Sequence, residues 1–354
     1  MFLNASANFL DDVLSVEQQT TPGVYIFAAI VLGFIGFFGF FFNLLVILAV
    51  FRDMDVLWTP NNVVLVNMVI GDFLVAILGN PMAFVSAIAG EWYWGHKMCL
   101  WYAAFMSTMG FASIGNLTMM AIERYILVKY PTKTISIRHA YALVLFVWIY
   151  ALSLSLPPFV NWGSYGIEAG NISCSVSWDL HDPEIHNDTY IGFLFTFGFF
   201  FPLAIIISSY CGILTTLKKI RQRIGSRNTK REAKITKMVY LMILAFLFAW
   251  SPYAILALLV FFNVQVSYVA AMMPALLAKS SICYNPIIYT SMNIQFTRAW
   301  KKMFFINKDL RTNKDSRNTG RTIIEKIEMK NINQQLAKKT EKSNCMPPVS
   351  INYE

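Results

Sequence analysis

Seven long apolar runs, at 25–50, 62–88, 99–128, 140–159, 190–214, 235–262 and 268–289, alternate with shorter polar segments along the chain. Each reaches or approaches the roughly 20 residues a helix needs to cross about 30 Å of hydrocarbon. A bilayer offers no water to unpaired backbone groups, so only helices and closed barrels span it, and runs this continuous are helical. The pattern therefore predicts an all-α fold, a seven-transmembrane helix bundle occupying 25–305. The first run is too long for a signal peptide and is expected to stay in the mature protein. The polar, acidic segment 1–24 precedes it, and the charged, aromatic-poor segment 306–354 reads as a disordered tail. Between bundle and tail, "MNIQFTRAWKKMFF" alternates bulky apolar and basic residues at helical spacing, which predicts a short amphipathic helix after the seventh span. The odd span count and the lack of an internal repeat argue against a secondary transporter built from paired halves.

Composition removes the main alternative. A chain of 354 residues could form two soluble domains, but one that is 56% hydrophobic and 14% charged, with a mean hydropathy of +0.50, suits a membrane. The net charge of +9 lies mostly in the basic segment 218–237 and in the tail. The positive-inside rule puts those segments in the cytoplasm, so the N-terminus is extracellular and the C-terminus cytoplasmic in a multi-pass plasma-membrane protein. The sequons at Asn4, Asn171 and Asn187 then all fall on the outer side, as N-glycosylation requires. Because the basic clusters flank membrane spans, their natural partner is anionic lipid and not nucleic acid.

Candidate chemistry is sparse. Cys99 and Cys174 both face the oxidising side, so a disulfide between them is expected. Cys211 and Cys283 lie within spans and read as small core residues. The four histidines are scattered, and no Cys/His spacing suggests a metal site. One residue stands out. Between Lys237 and Arg298 the only Lys, Arg, Asp or Glu is Lys279. An ammonium at that depth costs roughly 3 kcal/mol or more. With about ten residues to either end of its span, Lys279 is poorly placed to snorkel to an interface. Two readings remain: a neutral amine in a dry core, or a desolvated, nucleophilic amine that forms a Schiff base with an aldehyde.

The inner ends of the predicted helices carry further motifs. "AIERYILVKYP" places Glu123, Arg124 and Tyr125 where the third span ends, and "NPIIY" places Asn285, Pro286 and Tyr289 at the end of the seventh. "FAWSPYA" sets Trp250 and Pro252 midway along the sixth; Asn43, Asp72 and Trp148 mark the first, second and fourth. In this order and in these spans the set resembles the rhodopsin-like G-protein-coupled receptors from about residue 25 to residue 305. The resemblance implies that Glu232, at the base of the sixth span, bridges to Arg124 in the resting receptor. A modest ion pair at a membrane edge suits a breakable switch.

"LLAKSSICYNPIIY" narrows the likeness, because it puts a lysine six residues before the asparagine of Asn-Pro-x-x-Tyr. That spacing resembles the opsins. It implies that Lys279 carries retinal, 11-cis in the dark and all-trans after light, in a pocket of Tyr102, Gly110, Trp178, Phe199, Phe246, Trp250, Tyr253 and Ala275. Three residues after Cys99, where many visual pigments have a glutamate counterion, stands Tyr102; Glu168, six residues before Cys174, matches the alternative counterion of many invertebrate and non-visual opsins. Such pigments are often bistable. "MNIQF" is nearest to the ciliary-type encephalopsin and pteropsin group, which implies an inhibitory or transducin-like G protein in preference to Gq, with arrestin as a further partner. Ile294 departs from that group's lysine, and the usual palmitoylated cysteine pair is missing. The expectation is a signalling light receptor and not an enzyme. The alternatives are a retinal photoisomerase on the same fold and a receptor for a diffusible ligand; Lys279 weighs against the last.

Overall fold

The structure, a computed structural model, describes residues 22–300 apart from 131, 133–134, 169, 224–227 and 294, and leaves the side chains of 220–233 undescribed. Asn4 and the tail expected at 306–354 lie outside the described residues; helical backbone resumes at 295–300, the described part of the expected amphipathic helix.

Among the described residues, six helices are each long and apolar enough to cross a membrane: α1 (Pro22–Arg52), α2 (Pro60–Ala89), α3 (Gly95–Lys129), α4 (Ile137–Ser155), α5 (Asn187–Lys219 within its spanning length) and α6 (Asn228–Phe261). The seventh, α7, is composite. It runs as α-helix over Tyr268–Lys279, tightens to a 3-10 turn over Ser280–Cys283 and resumes over Tyr284–Met292. α3 is the central post, packing against α2, α4, α5 and α6. Cys211, read from the sequence as a core residue, is exposed on the outward face of α5, where lipid and not packing would surround it; Cys283 is half-buried.

Local signals explain where the helices start and stop. Ser136 and Ser267 cap α4 and α7, their side chains accepting the backbone N–H of His139 and Ala270. α4 stops at the Pro157-Pro158 pair, which forms a single 3-10 turn.

Prolines inside the spans leave backbone carbonyls without their usual donors, and at two of them a side chain from a neighbouring helix replaces the donor. In α7, Pro286 has no N–H for the carbonyl of Ile282. The amide of Asn43, fully buried on α1, donates to that carbonyl at 3.0 Å and to Gly39 at 2.8 Å. In α5 a π-helical turn, Leu194–Phe200, precedes Pro202. There the N–H of Phe201 reaches back five residues to Thr196. In that register Pro202 would serve the carbonyl of Phe197, and the hydroxyl of Tyr150 on α4 donates to it instead, at 2.8 Å. Both of these turns, the tight one in α7 and the wide one in α5, are thus tied to a neighbouring helix at the point where their own ladder fails.

At one end of the bundle, between α4 and α5, the chain forms an antiparallel hairpin of β1 (Tyr165–Ile167) and β2 (Cys174–Val176). Strands of three residues carry no readable alternation, and the sequence gives no sign of them.

Asn43→Ala should leave the Ile282 carbonyl buried without a donor and destabilise the bundle by about 1–3 kcal/mol. The check is the thermal unfolding midpoint of the detergent-solubilised protein; an unchanged midpoint would show that the joint in α7 does not depend on Asn43.

Candidate functional site

Lys279 is the last residue of the first α-helical segment of α7, and its side chain is only 13% exposed. Its Nζ lies 3.6 Å from Oε2 of Glu168, a carboxylate 8% exposed. Ser173 sits between them: its hydroxyl donates to Glu168 Oε2 at 2.5 Å and accepts from Lys279 Nζ at 3.3 Å. The cation that α6 and α7 leave unmatched is therefore matched by an acid from the hairpin.

The hairpin is built to deliver that acid. A disulfide joins Cys174 of β2 to Cys99 of α3, and β1 pairs with β2 so that Ile167 lies opposite Cys174. The connecting turn closes on itself: the N–H of Glu168 donates to the carbonyl of Ser173 at 2.8 Å, and the N–H of Asn171 donates to the carbonyl of Glu168 at 3.0 Å. Gly170 and Asn171 both adopt positive φ, 96° and 59°, which glycine and asparagine tolerate best. A side chain at Gly170 would also meet the methyl of Met272 at 2.9 Å, so the turn rests directly on α7. Below the strands, buried Tyr165 donates to the carbonyl of Ser155 at 2.7 Å. Burial pushes the Tyr165 phenol above its ordinary range, so it stays a donor.

Beneath this lid lies a cavity of about 170 Å³. All ten residues singled out for a pocket line it: Lys279 and Ala275 from α7, Tyr102 and Gly110 from α3, Phe199 from α5, Phe246, Trp250 and Tyr253 from α6, and Glu168 and Trp178 from the lid. The aromatic wall is continuous. Trp250 stacks on Phe246 with centroids 5.6 Å apart and meets Tyr253 edge-on at 6.1 Å; Trp178 meets Tyr253 edge-on at 6.4 Å. Gly110 lets α3 approach the Trp250 ring, since a Cβ there would stand 3.0 Å from it. The lining is mostly apolar; among its polar members Asp72 accepts from the amide of Asn285 at 3.1 Å.

Sequence reading missed several of these residues. Ser173 read only as the third position of a sequon, and its place between Lys279 and Glu168 follows from the turn. Phe111 and Gly198, which also line the cavity, carry no motif.

At the opposite end, Arg124 is 5% exposed and borders a second, polar cavity with Asn62, Lys234 and Gln295. Glu123 is buried, with neither carboxylate oxygen hydrogen-bonded among the described residues. Tyr125 accepts from Lys129 Nζ at 2.9 Å, its ring lodged against Gly212. Tyr289 is fully buried, its ring 5.9 Å from that of Phe296. Glu232 lies on α6, but its side chain is outside the described residues, and so is the bridge expected from it to Arg124.

One expected modification does not suit the fold. Asn171 is exposed at the tip of its turn, but Asn187 is fully buried. The Asn187 amide donates to the carbonyls of Ser177 at 2.8 Å and Leu180 at 2.6 Å, and its oxygen accepts the N–H of Ser164 at 3.0 Å. The nitrogen that would carry a glycan is spent in pinning the hairpin to α5. Asn171→Gln should therefore reduce the glycosidase-sensitive mobility shift by one glycan, leaving the one expected at Asn4, whereas Asn187→Gln should leave the shift intact and lower the thermal midpoint. A shift lost in the Asn187 variant alone would reverse the assignment.

Comparison with known proteins agrees with this architecture. Residues 42–289 match the model of the 7 transmembrane receptor (rhodopsin family). The chain is 35% identical to the green-sensitive opsin of Gallus gallus over 260 residues, 72% of this chain and 73% of that protein. It is 32% identical to the pinopsin of Columba livia over 311 residues, 86% of each. Among solved structures it is similar to squid rhodopsin, with a TM-score of 0.74 and 28% identity, covering 81% of this chain and 87% of that one.

Proposed function

The chain belongs to the rhodopsin family of seven-transmembrane receptors, and within it to the opsins, which are receptors and not enzymes; on that premise we propose that it is a light-activated receptor that holds retinal on Lys279 as a protonated Schiff base, with Glu168 as counterion. The observation that carries this reading is the buried Lys279–Glu168 pair at the head of an aromatic cavity.

The residues present fit a rod-shaped polyene aldehyde. One amine stands at the cavity's head, the wall beyond it is aromatic and apolar, and a disulfide-tied hairpin keeps water off the pair. Bound there, retinal would supply visible absorption and a light-driven change of shape, 11-cis in the dark and all-trans after light. The protein's residues supply the rest. Desolvation disfavours a buried cation and a neighbouring carboxylate favours it, so Glu168, 3.6 Å from Nζ, is the group that keeps a proton on the nitrogen. Ser173 fixes which oxygen faces it. Tyr102, neutral where many visual pigments carry an acid, leaves that task to Glu168, and a counterion held on the lid suits a bistable pigment.

The hairpin end is extracellular in this reading and the Arg124 end cytoplasmic, in the plasma membrane. Glu123, Arg124, Tyr125, Glu232, Asn285, Pro286 and Tyr289 then form the switch toward a heterotrimeric G protein. "MNIQF" favours an inhibitory or transducin-like subtype over Gq, with arrestin binding the same activated end. Lipid covers the apolar outer faces.

Adding 11-cis-retinal to the expressed apoprotein should give a visible band that shifts or bleaches in light, and the lit protein should speed nucleotide exchange on an inhibitory G protein. A pigment without exchange on any G protein would leave a photoisomerase. No band at all would refute retinal binding. Lys279→Ala should reach the surface yet give no covalent adduct after borohydride reduction, and an adduct in that variant would place the linkage elsewhere. Glu168→Gln should move absorption to the ultraviolet at neutral pH, because removing the carboxylate lowers the pH at which the nitrogen gives up its proton. Acid, or chloride as a substitute anion, should restore the visible band. A variant that keeps the wild-type spectrum and titration would rule Glu168 out.

A further inference from the structure

Two lid residues, three apart, each join α5 to α6. Trp178 lies between the ring of Phe195 on α5, at 5.8 Å, and that of Tyr253 on α6, at 6.4 Å. All three line the cavity; His181, which makes the second joint, does not. Its Nδ1 stands 2.7 Å from Oδ1 of Asp188 in the first turn of α5. Its Nε2 stands 3.4 Å from the amide nitrogen of Asn263, two residues beyond the end of α6, and its ring lies 5.5 Å from that of Phe261. The side chains of His181 and Asp188 are 36% and 55% exposed, so protons reach them from the medium.

In a neutral imidazole one nitrogen donates and the other accepts. Nδ1–H donating to the Asp188 carboxylate leaves Nε2 to accept from the Asn263 amide, so the neutral ring already serves both neighbours. A proton added at Nε2 turns the Asp188 contact into an ion pair, and Asn263 accommodates it by rotating its amide to present the oxygen. No cation competes. Between Arg138 and Lys218 the chain has no lysine or arginine, and the α6–α7 turn, 262–267, has no charged residue. The other titratable groups near His181 in the lid are Asp179, Asp182, Glu184 and His186. Asp182 accepts the backbone N–H of Glu184. The acids of the elements packed against the ring thus all favour its protonated form, and Asp188 is the one paired with it.

We propose that His181 is a pH-dependent clasp that holds the adjoining ends of α5 and α6 together through the lid, more tightly when protonated than when neutral. Histidine changes charge between about pH 5 and 8. The added hold is therefore present in acid and is lost as the medium becomes alkaline. The clasp needs no ligand, and retinal binding at Lys279 could fail without affecting it.

Amide hydrogen exchange in the empty, detergent-solubilised receptor reads the clasp. The reporter is the end of α6, where the N–H groups of Phe262, Asn263 and Val264 bond back to the carbonyls of Leu258, Val260 and Leu259. After correction for the intrinsic pH dependence of exchange, these amides should exchange about threefold more slowly at about pH 5.5 than at about pH 7.5, the order expected of one exposed charge pair. His181→Gln keeps a hydrogen-bonding side chain without a titrating group and should abolish the difference. Asp188→Asn should abolish it too, because the pairing charge is gone, whereas His186→Gln should keep it. All three positions are exposed, and the thermal midpoint of each variant, read beforehand, reports folding. Equal wild-type rates at the two pH values would overturn the proposal. So would a difference that survives in His181→Gln or in Asp188→Asn, or one that disappears in His186→Gln.

Discussion

One cation and one carboxylate, brought together from distant parts of the chain, govern this structure. Lys279 has no acid on its own helix, and the acid of the preceding one, Glu232, lies near the start of that helix, outside its apolar stretch; removing one partner of such a buried pair typically costs about 3–5 kcal/mol because the other charge is left uncompensated. The acid arrives from the loop between α4 and α5, and much of that loop's architecture serves to bring it there. The disulfide spans a separation of 75 residues, so the lid is fastened to α3 and not merely to its own ends. Asn187 fastens the hairpin to the start of α5, Tyr165 fastens it to the end of α4, and the turn around Gly170 seats Glu168 against α7. None of these contacts touches Lys279, yet each limits where Oε2 can be.

Three of the helices that line the cavity are irregular, and residues of each irregular turn line it. An ideal bundle of straight helices would fill its centre with side chains. Here α2 and α5 each contain a π-helical turn just before a proline, and α7 a 3-10 turn just before another. These turns shift side-chain direction by a fraction of a helical turn, and Val75, Leu194, Phe195, Gly198, Phe199, Ser281 and Ile282 from them line the space below the lid. Such turns expose backbone carbonyls, which in hydrocarbon would be unaffordable unless matched. The donors that match two of them, Asn43 and Tyr150, come from α1 and α4, helices that do little else for the cavity. Outlying helices thereby stabilise the shape of a site they scarcely line.

The spans were legible because their signal is long: each predicted run falls within a few residues of a helix, and α7 was visible even though its backbone is broken. The pocket residues were legible only through Lys279 and the spacing around it, which fix a register on α7 and, by resemblance, on α3 and α6. What sequence reading lacked was short or depended on neighbours. The strands are too brief for alternation, Ser173 and Asn187 both wore the guise of sequons, and Gly198 acquires meaning only from the Phe111 ring beside it. In the Asn187 case the local pattern pointed the wrong way, because a motif of three residues carries no information about burial.

In the proposed light receptor, the position of Lys279 within α7 offers a route by which the two ends of the bundle would communicate. It is the last residue of a regular segment, and the four residues after it form a 3-10 turn with poorer hydrogen-bond geometry than the helices on either side. A displacement of the lysine side chain therefore acts on the weakest part of the helix. Asn43 ties that joint to α1 through Ile282, which limits how far the joint can translate and favours rotation of the segment beyond it. That segment carries Asn285, bonded to Asp72 at the cavity floor, and Tyr289, buried against Phe296. Its rotation must break or remake a buried hydrogen bond and repack a buried ring, so its arrangements are discrete and not graded. In the proposed light receptor, a change confined to the head of the cavity would in this way be converted into a choice between two packings near Arg124, as a lysine that stands at the other end of the bundle requires.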